Sequence, residues 1–432
     1  MPDALPLPLP PSEIPLLDVP EDERPCYLDS AATSLKPKAV VDRIARFYTY
    51  ENAPVHRGVY ELSSRATDLY EEARQTVGTF VGATAESVVF TRGTTEGLNL
   101  VARSWAEDRL APGDELLVSP QEHHSNFLPW QELAQRTGAT LHFLPLHDAG
   151  TVDLQRALDL VGPRTKLVAM AHVSNVLGVE NPVREVFAAA KEVGALTVLD
   201  GAQSVPTRPV DVNELRCDAL AFSGHKMLGP TGIGALIVDP DVLSEMAPYQ
   251  TGGGMIQTVA VEGSEFLEGY HRFEAGTPHA AGAVGLAAAC DYLSRLTYDG
   301  ASGMAAVAAY ERDWGRYAVE QIRDIPGLRL VGPPGDAEPE GGIVALQLDG
   351  LHPHDLAVLL DARGVMCRAG HHCTMPLHAH LAKASPSGGS YPATSLRASA
   401  YVYNPLEDAD RLAEALRFAY EALTRRRTVT VE

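Results

Sequence analysis

The sequence predicts an α/β protein, with a large domain built on a mostly parallel, helix-covered sheet and a smaller α+β domain. Two observations predict this fold class. Between residues 88 and 238, short apolar runs alternate with helical patterns, as they do in parallel sheets that are covered by helices. Beyond residue 279, long helical patterns accompany two further strand-like runs. Ligands of such sheets bind at the carboxyl ends of the strands, so polar residues there are candidate site residues.

Apolar spacing and the positions of proline and glycine predict each element in turn. Eight prolines in residues 1–25 predict an extended, partly ordered arm. Amphipathic helices follow at 37–50 and 65–81, and the strands of the sheet are predicted at 88–90, 115–118, 140–143, 167–171, 196–199, 220–222 and 235–238. Helices between these strands are predicted near 95–107, 126–137, 152–160 and 183–194. The smaller domain is predicted to hold helices near 279–296, 302–322 and 407–424 and strands near 343–348 and 365–368.

The chain is long enough for two or three domains, at roughly 100–200 residues per domain. We predict an amino-terminal arm at 1–25, a large cofactor-binding domain at 26–298 and a small carboxyl-terminal domain at 299–432. The amino-terminal segment could also pack with the small domain.

Composition excludes several classes of protein. A formal net charge of −21 without any basic block argues against a nucleic-acid or anionic-membrane partner. The five cysteines form no C-x-x-C pair, which argues against a metal site and for a reducing compartment. The sequence has no targeting pattern and no apolar run of membrane-spanning length, so we expect a cytoplasmic protein.

Lys226 is the central candidate residue, because it follows the apolar run at 219–222 and precedes another at 235–238. Three intervening glycines predict a tight turn between two strands, on which an amine can be held rigidly. A lone lysine in a glycine-rich loop is usually a surface residue. The functional interpretation therefore depends on the residues at the neighbouring strand ends.

Those strand ends supply the groups that pyridoxal phosphate needs: a lysine for its aldehyde, an acid for its ring nitrogen and donors for its phosphate. Asp200 ends a β-branched strand and is the candidate acid. Thr94 and Thr95 open a helical pattern directly after a strand, and this arrangement directs free N–H groups and two hydroxyls at an anion. Ser223 and His225 could add side-chain donors.

Several motifs occur in a fixed order along the chain: Tyr27-Leu28-Asp29-Ser30-Ala31-Ala32-Thr33, Val55-His56-Arg57-Gly58, Arg92-Gly93-Thr94-Thr95-Glu96-Gly97, Glu122-His123-His124-Ser125-Asn126, Arg272-Phe273-Glu274-Ala275-Gly276-Thr277-Pro278 and Arg368-Ala369-Gly370-His371-His372-Cys373-Thr374-Met375-Pro376-Leu377. From about residue 27 to about residue 423, the chain resembles the SufS-type (group II) cysteine desulfurases. These belong to the class V aminotransferase branch of the fold-type I pyridoxal-phosphate enzymes. Each motif alone is a weak signal, but their common order is a strong one.

The resemblance implies an enzyme that uses pyridoxal 5'-phosphate to convert L-cysteine to L-alanine and leaves a persulfide on Cys373. It implies that a SufE- or SufU-like acceptor protein takes this sulfur for iron–sulfur cluster assembly. It also implies a homodimer in which Thr277 approaches the phosphate bound by the other subunit.

The resemblance assigns roles to five further residues. It implies that the His123 ring stacks on the cofactor and moves protons, and that Gln203 bonds the cofactor's phenolic oxygen. It implies that Asn175 bonds the substrate carboxylate, that Arg397 clamps this carboxylate through two hydrogen bonds, and that Arg368 orients the same site.

Cys373 follows two histidines and precedes Pro376, so it lies in a loop where a thiolate can be exposed and electrostatically favoured. Cys290 better fits a small buried residue. For Cys367, a spectator role and a resolving role both stay open. The segment at 382–395 is longer than the family leads us to expect, and beside Cys373 it could change how a partner reaches the site.

Three alternatives stand beside this interpretation. A selenocysteine lyase uses much the same motifs, and no feature of the sequence distinguishes sulfur from selenium. An aminotransferase, epimerase or other carbon–sulfur lyase would share Lys226 and Asp200, but Cys373 argues against these. A sulfur-transfer scaffold without turnover is the third alternative, and the intact set of candidate residues argues against it.

Overall fold

A computed structural model describes residues 8–56, 58–333, 338–384 and 394–429, with side chains up to residue 422 in the last helix. The strands are β1 (Cys26–Tyr27), β2 (Val88–Thr91), β3 (Glu115–Val118), β4 (Thr140–Phe143), β5 (Thr165–Ala171), β6 (Leu196–Asp200), β7 (Ala219–Ser223), β8 (Gly234–Val238), β9 (Ile256–Ala260), β10 (Gly263–Phe266), β11 (Thr297–Tyr298), β12 (Ala301–Ser302), β13 (Leu328–Leu330), β14 (Ile343–Leu348), β15 (Val365–Met366), β16 (Arg368–Gly370) and β17 (Ser395–Ser399). The helices are α1 (Lys38–Arg46), α2 (Glu61–Phe80), α3 (Thr94–Val101), α4 (Leu128–Thr137), α5 (Leu154–Leu160), α6 (Val183–Glu192), α7 (Pro240–Glu245), α8 (Ala280–Leu293), α9 (Met304–Ile322), α10 (Pro353–Asp361), α11 (Met375–Ala384) and α12 (Leu406–Val429).

The large sheet has the strand order β2-β8-β7-β6-β5-β3-β4. Its strands pair in parallel, except that β8 is antiparallel to both of its neighbours. Helices cover both faces, because Val168 and Met170 of β5 pack in one core cluster with α1, α2 and α8, whereas Leu167 and Ala169 pack in another with α3 and α4. Burial on both faces explains why the inner strands β5, β6, β7 and β8 are almost entirely apolar in the sequence, whereas the edge strand β4 is more exposed and less apolar. The predicted α/β fold is confirmed.

A second, antiparallel sheet has the order β13-β14-β17-β16 and shares a separate core cluster with α9, α10 and α12. The strand β17 and the helices α10 and α11 were not predicted. Of the long segment at 382–395, residues 385–393 lie outside the described part of the chain.

The proline-rich arm, predicted to be extended and partly ordered, contains short turns and buried side chains in its described part. Within residues 8–25, short 3₁₀ turns occur at Pro11–Glu13 and Glu21–Glu23. Leu9, Ile14 and Leu17 are buried in the core of the large sheet, so these apolar side chains anchor the arm. Proline suits the first position of such a turn because its φ is already fixed near the helical value.

The amino-terminal part of the chain links the two sheets. The strand β1 pairs in parallel with β15, and Cys26 and Leu28 pack in the core cluster of the second sheet. The predicted domain boundaries place these two residues in the large domain, and the division at 26–298 and 299–432 stays a prediction. In the described part of the chain, no helix has both the length and the apolar character that crossing a membrane requires.

Candidate active site

A cavity of about 250 Å³ opens at the carboxyl ends of β5, β6 and β7. Its lining includes every predicted site residue except one: Thr94, Thr95, His123, Asn175, Asp200, Gln203, Ser223, His225, Lys226, Arg368, Cys373 and Arg397. Thr277 is the exception, because it is exposed and lines a different pocket. The structure contains one chain, so the position of Thr277 relative to a second subunit stays a prediction.

Lys226 ends a short 3₁₀ turn, Gly224–Lys226, that connects β7 to β8. The preceding carbonyl, that of His225, accepts hydrogen bonds from the backbone N–H of Ser34 at 3.0 Å and from Nζ of Lys36 at 2.8 Å. These bonds fix the backbone from which the Lys226 side chain extends. Burial lowers the pKa of Lys226 to about 8, so more of its amine is uncharged near neutral pH than for an ordinary lysine.

Asp200 is the last residue of β6 and is buried. Its Oδ1 accepts a hydrogen bond from the backbone N–H of Ala202 at 2.9 Å. Burial raises the pKa of the Asp200 carboxyl, while this hydrogen bond and the nearby Lys226 amine oppose the rise. Asp200 therefore brings a buried carboxyl to the same cavity as the lysine, and the hydrogen bond and the amine partly offset the cost of burying its charge.

The start of α3 forms a cradle of hydrogen-bond donors. The Oγ of Ser223 lies 2.9 Å from the backbone nitrogen of Thr94 and 2.8 Å from its hydroxyl, and the Thr95 hydroxyl lies 2.7 Å from that of Ser125. Gly93 precedes the helix with a φ of 147°, and a Cβ there would lie 2.9 Å from the Ser223 Oγ. A helix amino terminus with hydroxyls grouped around it suits a phosphate.

His123 follows β3 and presents an uncharged ring to the cavity. The backbone N–H of Ser125 donates to its Nδ1 at 3.1 Å, so the proton of the neutral ring is on Nε2. Burial, and next the charge of Lys226, lower the pKa of His123 to about 4. The ring is therefore neutral at physiological pH.

Arg397 lies on β17 and is 2% exposed. Its Nη1 donates to the backbone carbonyl of Asn175 at 2.8 Å, and its Nη2 donates to Oδ1 of Asp29 at 3.1 Å. Its buried Nε has no hydrogen-bond partner among the described residues. Because a buried guanidinium N–H is costly to leave unpaired, this donor suits a ligand carboxylate. Arg368 is close by, with its Nη1 3.8 Å from Oδ2 of Asp29.

Cys373 lies in a tightly held loop between β16 and α11. His372 and Cys373 have φ values of 50° and 59°, in the left-handed region. Asn175 Nδ2 donates to the carbonyl of His372 at 2.9 Å, and the backbone N–H of His124 donates to the carbonyl of Cys373 at 2.8 Å. The backbone is thus anchored on both sides of the sulfur.

All five cysteines lie in the described part of the chain, and their exposure separates them. Cys373 is exposed, whereas Cys26 and Cys290 are buried and Cys217 and Cys367 are half-buried. Burial raises the pKa of the Cys367 thiol, which therefore stays protonated. Cys373 is thus the cysteine whose sulfur a substrate in the cavity can reach.

Three residues of the site had no predicted role. Asp29 pairs with both arginines of the cavity, and Ser125 and His372 line it. Each lies inside a motif that carried the family resemblance, and His372 directly precedes Cys373. That membership was the available signal, since neither periodicity nor charge pattern marks these positions.

Fold and cavity together define the chain as an α/β enzyme of the fold-type I pyridoxal-phosphate class. Residues 26–412 match the family described as Aminotransferase class-V. A cysteine desulfurase of Haloferax volcanii is 46% identical over 397 residues, which cover 91% of this chain and 89% of that protein. A cysteine desulfurase of Escherichia coli is 44% identical over 399 residues, covering 92% of this chain and 94% of that protein. The chain therefore belongs to the class-V aminotransferase family, and within it to the cysteine desulfurases.

Solved structures agree with this assignment. The apo structure of the cysteine desulfurase from Thermococcus onnurineus NA1 has a TM-score of 0.87 and 39% identity, over 95% of this chain and 97% of that chain. The cysteine desulfurase CsdA (S-sulfonic acid) from Escherichia coli has a TM-score of 0.84 and 36% identity, over 95% of this chain and 98% of that chain. The resemblance is confirmed at the level of the cysteine desulfurases, and the SufS-type subgroup stays a prediction.

Proposed function

We propose that this protein is a pyridoxal-phosphate-dependent cysteine desulfurase that converts L-cysteine to L-alanine and forms a persulfide on Cys373. The observation that carries this proposal is that the exposed sulfur of Cys373 lines the same cavity as Lys226 and Asp200. A lyase that only eliminates sulfur needs the lysine and the acid but no protein thiolate. A thiolate nucleophile in the same cavity favours direct transfer of the sulfur to the protein.

The donor set of the cavity fits pyridoxal 5'-phosphate. Lys226 would hold its aldehyde, Asp200 its ring nitrogen and Gln203 its phenolic oxygen. The phosphate would be held by the cradle at the start of α3, to which Thr94, Thr95 and Ser223 belong. His225, in the turn before Lys226, would add a further donor. Gly93 leaves the space that this cradle needs, since a Cβ there would meet Ser223. When bound, this cofactor supplies an electron sink for the carbon atoms of an amino acid.

The substrate is recognised through its carboxylate. Arg397 offers its unpartnered Nε, and its planar guanidinium is held by Asp29 and by the carbonyl of Asn175. Arg368 adds a second positive charge, and Asn175 adds an amide beside the Cys373 loop. A negatively charged carboxylate bound here directs the side-chain sulfur of cysteine toward Cys373.

Sulfur transfer then balances without an added oxidant. The Cys373 thiolate attacks the sulfur of the substrate, an S–S bond forms and the C–S bond breaks. The electron pair of the broken bond stays on the substrate carbon, which takes up a proton to give alanine. The neutral His123 ring holds a proton on Nε2 at the cavity wall and can exchange it with the reacting groups.

Three further parts of the proposal concern partners and location. The enzyme works as a homodimer in which Thr277 reaches the phosphate bound by the other subunit. A SufE- or SufU-like protein accepts the sulfur from Cys373 for iron–sulfur cluster assembly. The reaction takes place in the cytoplasm, a reducing compartment in which the Cys373 thiol does not become locked in a disulfide.

The proposal is tested by comparing Cys373→Ser with Cys367→Ser. Cys373→Ser should keep the yellow cofactor and bind cysteine, but form alanine from cysteine roughly a hundredfold more slowly, as expected for loss of a covalent nucleophile. Cys367→Ser should retain near-normal turnover because its thiol is protonated and half-buried. Equal alanine formation by wild type and Cys373→Ser would refute the proposal. Selenocysteine as a second substrate tests the lyase alternative, since its weaker carbon–selenium bond can break without a thiolate.

A further inference from the structure

Arg74 and Glu274 form a buried ion pair beside β2, outside the cavity. Arg74 is fully buried on α2, and Glu274 lies in the motif that contains Thr277. Their contact is bidentate, with Nη1 2.7 Å from Oε1 and Nη2 2.9 Å from Oε2. The Tyr70 hydroxyl donates to the same Oε2 at 2.7 Å. The carboxylate is therefore held by three hydrogen bonds from one helix.

The pair also forms hydrogen bonds to backbone groups of β2, which is the last strand at one edge of the large sheet. Glu274 Oε1 accepts from the backbone N–H of Phe90 at 2.8 Å, and Arg74 Nη1 donates to the carbonyl of Val88 at 2.9 Å. These bonds fix the strand that leads directly into Gly93 and the cradle at the start of α3. The position of this cradle therefore depends on the pair.

The same carboxylate fixes the start of a second segment. Glu274 lies three residues before the exposed Thr277, and Gly276 N–H donates to the carbonyl of Gly253 at 2.6 Å. The segment from Glu274 to Thr277 is thus anchored at Glu274 and again at Gly276. An exposed threonine on a segment anchored in this way can be presented to a second subunit at a defined position.

We propose that Arg74 and Glu274 are positioning residues for the cofactor phosphate. Through β2 the pair holds the Thr94–Thr95 cradle of its own subunit, and through the following segment it holds Thr277 for the phosphate of the partner subunit. The inference rests on the proposed function, because it takes the cofactor to be pyridoxal 5'-phosphate and the protein to be a dimer. One ion pair then links the two phosphate sites of the dimer.

The test compares how tightly the apoprotein binds pyridoxal 5'-phosphate and pyridoxal, which lacks the phosphate. The measured quantity is the affinity for pyridoxal 5'-phosphate divided by the affinity for pyridoxal. A positioning role predicts that Glu274→Gln lowers this ratio by about tenfold or more, which is the order expected for one lost hydrogen bond to a charged group. A general loss of stability would weaken the binding of both ligands equally and leave the ratio of affinities unchanged. Light scattering checks that each variant is still a dimer.

Glu51→Gln is the matched control. Glu51 is 3% exposed and pairs with Arg43, Arg46 and Arg65. Its substitution therefore also removes a buried carboxylate from arginine partners. None of these ion pairs involves β2 or the segment from Glu274 to Thr277. The affinity ratio should stay at the wild-type value in this variant. Tyr70→Phe removes one hydrogen bond to Glu274 with little change in packing, and it should lower the ratio by a few-fold. It serves as the test if Glu274→Gln does not fold.

An unchanged ratio in a folded, dimeric Glu274→Gln or Tyr70→Phe variant would overturn the inference. Thr277→Val separates this failure from a failure of the proposed function. If Thr277→Val lowers the ratio and the two other variants do not, Thr277 contacts the phosphate and the positioning role alone is wrong. If wild-type protein itself does not prefer pyridoxal 5'-phosphate over pyridoxal, the proposed cofactor site is wrong.

Discussion

Arg397 and Asp29 are 368 positions apart in the sequence and form an ion pair across the edge of the cavity, with Nη2 3.1 Å from Oδ1. The pair connects β17 of the second sheet to the segment that follows β1. Burial lowers the pKa of the Arg397 guanidinium, and the nearby Asp29 carboxylate opposes that shift. Asp29 therefore partly compensates the buried positive charge of Arg397 at the point where a substrate carboxylate would bind.

Asp29→Asn should destabilise the protein strongly. Removing one partner of a buried ion pair leaves an uncompensated charge, so we expect the free energy of unfolding to fall by roughly 3 kcal/mol. Urea denaturation measures this change. Asp42→Asn is the control, because Asp42 pairs with Lys38 on the surface and should contribute less than about 1 kcal/mol. Equal effects of the two substitutions would contradict a stabilising role for the Asp29 pair.

Arg397→Lys should weaken substrate binding more than it slows turnover. Lysine keeps the positive charge but lacks the Nε–H donor, which Arg397 offers from a planar guanidinium held by Asp29 and the Asn175 carbonyl. We expect KM for cysteine to rise by about tenfold to a hundredfold, with a smaller change in kcat. Steady-state kinetics with saturating cofactor measures both constants. An unchanged KM would show that the substrate carboxylate binds elsewhere.

The predicted strands of the large sheet are all present because their signal is local. Most of them are apolar runs buried on both faces, with the edge strand β4 as the exception. The site residues Asp200 and Ser223 are the last residues of two such runs. Ligands bind at the carboxyl ends of parallel strands, so these residues could be predicted to lie in one site even though the strand order was unknown.

The elements that sequence reasoning missed have no such signal. The hairpin of β9 and β10 is exposed. The strand β17 is buried, but its sequence Ser-Leu-Arg-Ala-Ser is not a continuous apolar run. The Asp29–Arg397 pair depends on a contact between distant parts of the chain, and the spacing of apolar residues along the sequence does not predict such contacts. The arm was expected to be extended because proline disfavours helices, yet a few apolar side chains suffice to anchor it.

Gly93→Ala should weaken cofactor binding without a matching loss of fold. A Cβ at this position would lie 2.9 Å from the Ser223 Oγ and would push that hydroxyl out of the cradle. Gly113→Ala is the control, because Gly113 also has a positive φ, of 101°, but a Cβ there would meet nothing within 4 Å. Both variants carry backbone strain of about 1–3 kcal/mol, because alanine rarely adopts either positive φ value. Only Gly93→Ala should raise the Kd of pyridoxal 5'-phosphate, as equilibrium dialysis can measure.

Lys226 should react with the aldehyde of the cofactor at a lower pH than an ordinary lysine. Only the uncharged amine is nucleophilic, and burial lowers the pKa of Lys226 from 10.5 to about 8. As the pH rises toward 8, the uncharged fraction of Lys226 therefore grows about tenfold per pH unit, and above pH 8 it levels off. The rate at which the apoprotein captures pyridoxal 5'-phosphate should follow the same curve, measured by trapping the covalent product with borohydride.

The lower pH range adds a second check on this titration. His123 has a pKa lowered to about 4, so it stays neutral from pH 5 upward and should add no inflection near 6.5. Lys226→Ala should give no trapped product at any pH while the protein remains folded, because the Lys226 side chain lines the cavity and is not part of a hydrophobic core cluster. A capture rate that keeps rising to pH 10 would mean that Lys226 titrates as an exposed amine. The cavity would then not activate it, and the lysine would need another source of reactivity.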